Sequence, residues 1–245
     1  MRDLPILFSA PMVRALLDGS KTQTRRQVKP PKGHPLVDLR SAEGDDRYSG
    51  RNDDPMSWGY QYYDDGAPAA LGELLDLCPY GRAGDRLWVR EAWRAPHQLD
   101  NLSPNGIADA CLAAGYNSPW CPVQYEACGT RNSTKDWYEF GSTPGSAKPG
   151  RYRHGRFMPR WASRISLEVT GVRIERLQAI SEADARAEGA HFHDGRGIGH
   201  SGWRHDDGAV HGDARSAFAR LWESLNGAGS WEQNAFVWVV SFRRI

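Results

Sequence analysis

The sequence predicts an α+β fold in which a small mixed β-barrel carries flanking helices and long irregular insertions. Three observations predict this class: most apolar segments have strand length, irregular loops separate them, and the last segment, Phe236–Phe242, is apolar on both faces. Regular alternation of strands and helices would indicate a parallel βαβ sheet instead. We therefore expect a single domain over residues 1–245, with insertions at about 30–70, 95–150 and 191–212.

The chain opens with a short strand and a helix. Leu4–Phe8 has the composition of a buried strand. A helix should follow, because Gly19 stands where a C-terminal cap belongs and because four apolar residues before it recur at helical spacing: Met12, Val13, Leu16 and Leu17. The next extended segment, Lys21–Val28, is almost wholly polar.

The later segments comprise two strands followed by two helices. Arg86–Trp93 and Ile165–Leu177 have strand patterns, and a short helix should begin at Ser181 and end at Glu188. Asp213–Leu225 carries apolar residues at the spacing of an amphipathic helix. Between 95 and 150 the pattern indicates loops, apart from one strand near Val123–Ala127.

The 191–212 insertion holds five of the eight histidines. His191 and His193 are spaced to ligate a metal if their backbone is extended, but no carboxylate or cysteine spacing completes a site. We predict a loop or lid there, with no metal and no cofactor. The four cysteines form no C-x-x-C pair and are expected to be free thiols.

Charge is distributed unevenly along a chain whose formal net charge is only +1. Residues 41–66 form an acidic insertion, whereas residues 148–164 contain six cations and no acid. Only five of the 31 basic residues are lysines, and arginine suits phosphate contacts and base stacking. A GC-rich genome explains the same bias. No apolar run approaches the roughly 18–20 residues of a membrane span, and a signal peptide is absent, so we expect a cytoplasmic protein.

The segment from Gly19 to Arg26 is the strongest candidate for a site. In an extended chain, Thr22, Thr24 and Arg26 share one face, and neither face is apolar. Such a strand either lines a wet pocket or interface, or lies exposed at a sheet edge. Alternation places Lys21 opposite Thr24, unless Lys21 still belongs to the turn after Gly19.

The pattern Gly19-x-Lys21-x-x-Thr24-x-Arg26 resembles the G-x-K-x-x-E-x-R signature of ASCH domains, with threonine in place of the usual glutamate. Gly84-Asp85 before a strand and Ala187-Glu188-Gly189 at a helix end are similar to the same family. The longer phage and prophage members share stretches like Cys78–Gly81 and Met158–Arg164. The resemblance covers both ends and the centre of the chain, and it implies a PUA-like fold.

PUA-like folds bind RNA, and one bacterial ASCH branch, which also has threonine in the signature, hydrolyses N(4)-acetylcytidine. By similarity, Lys21, Thr24 and Glu188 would be catalytic. Thr24 would supply the nucleophile and Lys21 the base, with its pKa lowered by burial or by Arg25 or Arg26. Glu188 would orient Lys21 or carry a proton. A solvated Glu188 without a role is the alternative.

Two further groups of residues complete the predicted site. Arg25, Arg26, Arg90 and Glu91 are candidates for substrate binding. Glu91 lies on an otherwise apolar strand face, where it would pair with Arg26 or form a purely structural ion pair. The basic segment also carries aromatic residues, which predicts nucleic-acid contacts or a solvated loop. Its candidate residues are Arg151, Arg153, Arg156, Arg160, Trp161 and Arg164.

These features favour a protein that binds nucleic acid or a modified nucleoside through a pocket around Lys21–Arg26. If the protein is an enzyme, the predicted reaction is hydrolysis of an N-acylated cytidine-type base. The alternatives are a non-catalytic RNA- or DNA-binding module and a ribonuclease that uses His97 or His154. The expected partners are RNA, DNA or a modified nucleoside, and no membrane.

Overall fold

The computed structural model describes residues 1–29, 75, 78–132, 148–196, 200–205 and 209–245. The α-helices whose bounds are defined there are α1 (Ala10–Leu17), α2 (Pro104–Ala113), α3 (Glu182–Ala187) and α4 (Ala214–Asn226). The strands are β1 (Asp3–Leu7), β2 (Gln23–Gln27), β3 (Arg86–Arg90), β4 (Trp93–Arg94), β5 (Gln124–Tyr125), β6 (Ser166–Arg176), β7 (His191–His193), β8 (Gly202–Arg204) and β9 (Phe236–Arg244).

Five strands form one mixed sheet in the order β1-β3-β6-β9-β2. β1 runs parallel to β3, whereas β3 is antiparallel to β6 and β2 is antiparallel to β9. The register pairs Leu4 with Leu87 and Thr24 with Val240. The α+β class is therefore confirmed.

Among the described residues the sheet is open, so they do not form the β-barrel that the sequence predicted. The physical reason lies at the start of β2, where the end of α3 pairs with the chain. Thr22 N donates to Ala187 O at 2.9 Å, and an antiparallel bridge joins Lys21 to Glu188. A helix end, rather than a further strand, thus covers this part of the strand.

One compact unit consists of the described parts of Met1–Gly19, Arg86–Glu168 and Arg244–Ile245. Helix α2 lies in it and contradicts the prediction of loops over most of 95–150. The helix begins after Ser103, whose hydroxyl accepts a hydrogen bond from Gly106 N at 3.1 Å. It packs into a core formed by Trp93, Ala95, Leu99, Ile107, Cys111, Cys121, Val123, Tyr125, Met158 and Ala162.

The second unit consists of the described parts of Ser20–Asp85 and Val169–Arg243. In it, α3 packs against α4 and β2, and α4 packs against β8. Helix α4 begins after Asp213, whose carboxylate accepts from Ser216 N at 2.6 Å. The core residues of this unit are Leu177, Ile180, Ala185, Ala190, Ala214, Phe218, Trp222, Val237 and Val239.

Strands β7 and β8 form an antiparallel pair within residues 191–212, which were predicted to be a loop or lid. His191 pairs with Arg204, and the rings of Phe192 and Trp203 meet edge to face at 5.7 Å. This cross-strand aromatic contact is the kind of pair that stabilises a sheet. The described residues contain no group of three or more histidine, cysteine or acidic side chains arranged for a metal ion.

Other predicted elements are confirmed within a few residues. They are α1, α3, α4 and β9, with Gly19 in the left-handed conformation at φ +82°. The predicted insertion at 30–70 lies outside the described residues. In the parts of the chain that are described, none of the helices has the length and apolar character needed to cross a bilayer.

Candidate functional site

Lys21 and Glu188 form the centre of the candidate site. Lys21 Nζ donates to Glu188 Oε2 at 2.7 Å and to the Glu188 backbone carbonyl at 2.8 Å. Each residue is only 2% exposed, which excludes the solvated alternative for Glu188. The ammonium group at the carboxyl end of α3 also offsets the unfavourable position of a carboxylate there.

Several effects act together on the pKa of Lys21. Burial lowers the pKa, because it disfavours the charged form, and the positive charges of Arg26 and Arg25 lower it further. The carboxylate of Glu188 acts in the opposite direction, but the net shift is downward. Burial and neighbouring cations are the two causes that a lysine acting as a base requires.

Arg25 belongs to a closed ring of ion pairs with Glu175, Arg173 and Asp184. Glu175 contacts Arg25 through Oε1 and Arg173 through Oε2, the latter at 3.1 Å. Asp184 contacts Arg25 through Oδ2 at 3.3 Å and Arg173 through Oδ1 at 3.1 Å. Arg25 Nη1 also lies 3.4 Å from Glu188 Oε1. Three carboxylates thus fix Arg25, and Arg25 in turn helps to position Glu188.

Within this ring, the pKa of Asp184 is lowered. Burial alone would raise the pKa of Asp184, but a hydrogen bond with Ser181 and the charges of Arg25 and Arg173 hold it below its ordinary value. Both terminal nitrogens of Arg25 are engaged by carboxylates, and its side chain is fully buried. The geometry therefore gives Arg25 a positioning role rather than a direct contact with a ligand.

Thr24 is fully buried on β2, and its hydroxyl oxygen accepts from Arg26 Nη1 at 2.9 Å. Strand alternation thus divides the segment: Lys21 and Arg25 contact Glu188, whereas Thr24 contacts Arg26. Arg26 connects the two sets, because its charge lowers the pKa of Lys21. The structure brings Lys21 and Glu188 into direct contact, and it relates Thr24 to them through Arg26.

Tyr80 is a member of the site that the sequence analysis did not single out. Tyr80 and Arg26 lie close enough for each to affect the pKa of the other. Burial lowers the pKa of Arg26 and raises that of Tyr80. This proximity has no local signal in the sequence, because β2 and the turn at 78–85 are separated by a long insertion.

Arg90 and Glu91 lie in the other compact unit. Arg164 holds Glu91 through both carboxylate oxygens, with Nε–Oε1 at 2.8 Å and Nη2–Oε2 at 2.9 Å. The partner of Glu91 is therefore Arg164 and not Arg26, which was the partner suggested by strand parity. The geometry favours the alternative, a buried ion pair with a structural role. Arg90 stacks over Trp88 at 4.6 Å and donates to Arg156 O at 3.4 Å.

Three of the six residues predicted for nucleic-acid binding are engaged in the interior of this unit. Arg153 is 6% exposed and donates to the carbonyls of Leu99 and Leu102 at 3.0 and 3.2 Å. Arg164 is held by Glu91, as described above. Trp161 is half-buried and meets the ring of Trp93 edge to face at 5.8 Å.

The other three residues are exposed. Arg151 and Arg156 are exposed, although Arg151 Nη2 donates to Leu102 O at 3.4 Å. Arg160 forms an exposed ion pair with Asp3 at 2.8 Å. Two aromatic residues of the same segment are also more than half exposed: Tyr152 at 53% and Phe157 at 55%. The structure thus divides the basic segment into a structural half and an accessible half.

No protein-family model matches the chain significantly, and neither does any curated protein or solved structure. The resemblance to ASCH domains accordingly depends on the signature residues and their order along the chain. It stays a prediction, as does the function that it implies.

Proposed function

We propose that Lys21, Thr24 and Glu188 form a site that binds a modified cytidine-type base and hydrolyses its N(4)-acyl group. The observation that carries this proposal is the buried ammonium of Lys21, which lies 2.7 Å from the Glu188 carboxylate and has a lowered pKa. A lysine whose pKa is depressed by burial and by neighbouring charge is a recurrent feature of active sites. We also propose that the chain is an ASCH domain and that its open sheet is related to the PUA-like fold.

In the proposed reaction, Thr24 Oγ1 attacks the acyl carbonyl carbon while Lys21 accepts the hydroxyl proton. The exocyclic C–N bond then breaks, and that proton passes to the departing amine to release cytidine. Water next hydrolyses the ester left on Thr24, which yields a carboxylic acid and regenerates the hydroxyl. Glu188 orients Lys21, and Arg26 positions the Thr24 hydroxyl.

The direct test is to incubate the protein with N(4)-acetylcytidine and to follow the release of cytidine by chromatography. Thr24→Ala and Lys21→Met should each lower kcat by at least about 100-fold, because nucleophile and base are both required. Thr170→Ala and Lys29→Met alter exposed residues of the same two types and should keep the wild-type rate. Release that is absent, or unchanged in Thr24→Ala, would contradict the mechanism.

A second candidate function, binding of single-stranded nucleic acid, is favoured by the accessible half of the basic segment. Arg151 and Arg156 are exposed beside Tyr152 and Phe157, and Arg156 stacks over the ring of Phe157 at 4.8 Å. Cations supply phosphate contacts and exposed rings supply stacking surfaces for bases.

Fluorescence anisotropy with labelled RNA and DNA oligonucleotides across a salt series tests this candidate. Binding should weaken with salt, and Tyr152→Ala with Phe157→Ala should weaken it further by about 1–3 kcal/mol per stacked base. Lys21→Met should leave it unchanged. Salt-independent retention, or none at all, rules the candidate out. The length of the RNA after incubation tests the ribonuclease alternative.

A further inference from the structure

The rings of Phe192 and Trp203 form a small aromatic surface on the β7–β8 pair. The two residues lie directly opposite each other in the register, and their rings meet edge to face at 5.7 Å. Trp203 is half-buried and packs against the core of its unit, whereas Phe192 is 57% exposed. The surface therefore combines a ring that is anchored in the core with a ring that a ligand can reach.

Arg186 adds a positive charge to this surface. Its guanidinium carbon lies 4.5 Å from the centre of the Trp203 ring, and the residue is exposed. No carboxylate in the described part of the chain pairs with Arg186. The exposed acid that follows β7, Asp194, is paired with Arg196 at 3.1 Å. An exposed cation beside an exposed ring is the combination that binds the phosphate and the base of a single strand.

The chain connects this surface directly to the ion pair of Lys21 and Glu188. Glu188 follows α3 and lies two residues after Arg186 and four residues before Phe192. Four residues of chain span at most about 14 Å. The Glu188 carbonyl accepts from Lys21 Nζ at 2.8 Å, and Gly189 N donates to Arg186 O at 2.8 Å, so this stretch of backbone is fixed. The exposed ring and the proposed active site thus lie close together in one compact unit.

We propose that Phe192 stacks on a base of a single-stranded nucleic acid while Arg186 contacts its phosphate backbone, so that the substrate of the adjacent site is a modified cytidine within a polymer. The stacked base is a neighbour of the modified one, which is bound by the Lys21 site itself. The binding of the strand stands on its own, whereas its role as substrate rests on the proposed hydrolase function. No bond forms or breaks at this surface.

Fluorescence anisotropy with a labelled, unmodified RNA oligonucleotide of about 10 nucleotides measures the binding of the strand. Phe192→Ala should raise Kd by about 5- to 150-fold, which is the loss expected for one stacked base. Leu225→Ala removes an exposed apolar side chain of the same unit and should keep the wild-type Kd. If Phe192→Ala binds as tightly as Leu225→Ala, the stacking role is overturned.

Two conservative variants separate stacking from the contact that Phe192 makes with Trp203. Phe192→Tyr keeps an aromatic ring and should bind the oligonucleotide as the wild type does. Phe192→Leu keeps an apolar contact with Trp203 but has no ring, so it should bind as weakly as Phe192→Ala. Wild-type binding by Phe192→Leu would overturn stacking and indicate a surface that takes an apolar partner instead.

The contribution of Arg186 is measured with the same oligonucleotide across a salt series. Loss of one phosphate contact on a single strand reduces the slope of log Kd against log salt by about 0.7, so we expect this change in Arg186→Gln. Arg220→Gln alters an exposed arginine of α4 in the same unit and should keep the wild-type slope. Equal slopes in the two variants would overturn the phosphate contact.

An RNA oligonucleotide that contains one N(4)-acetylcytidine tests the polymer as substrate, with loss of the acetyl group followed by mass spectrometry. In the wild type, kcat/KM should be higher for this oligonucleotide than for free N(4)-acetylcytidine. Phe192→Ala should lower the value for the oligonucleotide and leave the value for the nucleoside unchanged. The ratio of the two values cancels the concentration of active protein, so partial misfolding of the variant does not affect the result.

The outcomes separate this inference from the proposed function. A wild type that deacetylates neither substrate overturns the hydrolase function and the polymer as its substrate, while the anisotropy series still decides whether the surface binds a strand. A wild type with equal kcat/KM for both substrates overturns the polymer as the preferred substrate and leaves the hydrolase function in place. Weaker binding in Phe192→Ala, with a selective loss of activity on the oligonucleotide, supports both.

Discussion

Glu188 is the shared acceptor of two buried cations, Lys21 and Arg25. Removing one partner of a buried ion pair leaves the other charge buried and uncompensated, which is strongly destabilising. We therefore expect Glu188→Ala to lower the free energy of unfolding by about 3–5 kcal/mol. Lys21→Met should cost less, because Arg25 still neutralises the carboxylate and methionine fills similar space. Urea unfolding followed by tryptophan fluorescence measures both losses.

The control for this experiment is Glu232→Ala, which removes an exposed carboxylate of the same unit. It should change the free energy of unfolding by no more than about 0.5 kcal/mol. If Glu188→Ala were as mild as Glu232→Ala, the buried ion pair would not carry the stability that its geometry implies.

The pKa of Lys21 adds a pH dependence to this stability. The unfolded chain keeps the lysine proton up to the ordinary pKa of 10.5, whereas the folded protein releases it at lower pH. Between those two values the unfolded chain binds more protons, so the stability rises with pH. Lys21→Met should remove this rise when urea midpoints are compared from about pH 7 to about pH 10. Parallel profiles in the two proteins would contradict the lowered pKa.

The hairpin of β7 and β8 brings a second perturbed group into the same unit. His205 follows β8, and its ring packs edge to face on Phe218 of α4 at 6.1 Å. Burial, with a smaller effect from the charge of Lys21, lowers the pKa of His205 from 6.5 to about 3. In that interval only the unfolded chain takes up the proton, so stability falls as the pH falls from 6.5 toward 3.

Replacement of this histidine should therefore reduce the acid sensitivity of the protein. His205→Gln should flatten the dependence of the urea midpoint on pH between about 6.5 and about 3. His154→Gln changes an exposed histidine and should keep the wild-type slope. A slope that does not change in His205→Gln would mean that its ring is not buried in solution.

Elements with strong local signals were predictable, and those with weak signals were not. α4 has a capping aspartate and apolar residues at regular spacing, so it was predicted almost to the residue. Helix α2 has a weak apolar pattern, because only Ile107 and Cys111 are buried and its first turn contains proline, asparagine and glycine. Its one clear signal was Ser103 before Pro104, which is a typical helix start. The β7–β8 pair was not predicted, because neither strand has an alternating apolar pattern. The pair is stabilised instead by an aromatic contact between the two strands.

The candidate site shows the same division. Lys21, Thr24 and Glu188 were selected by the resemblance to ASCH domains, which rests on short local motifs. The ring around Arg25 was not predictable, because Glu175 and Asp184 are separated from it by roughly 150 residues of sequence and only the tertiary fold brings them together. Local patterns contain no information about such contacts.

Across the whole molecule, arginine has two separate uses that composition cannot distinguish. Arg164 neutralises the buried Glu91, whereas Arg156 is exposed. If the exposed set binds nucleic acid, Arg156→Ala should reduce the slope of log Kd against log salt by roughly 0.7–0.9. Arg164→Ala should instead destabilise the fold by about 3–5 kcal/mol with the slope unchanged.

Anisotropy titrations at several salt concentrations, together with urea unfolding of the same variants, separate these effects. Arg151→Ala is a second exposed substitution and should behave like Arg156→Ala. A change in salt slope for Arg164→Ala, with none for Arg156→Ala, would reverse the assignment of the two sets.

The near-complete burial of Lys21 also has a consequence for chemical labelling. Amine-acylating reagents reach exposed lysines such as Lys29 and Lys148, but they cannot reach a side chain that is 2% exposed and bonded at its ammonium group. Modification of Lys21 therefore requires the end of α3 to separate from the start of β2. The rate of Lys21 acylation, followed by mass spectrometry, would thus report how often the site opens.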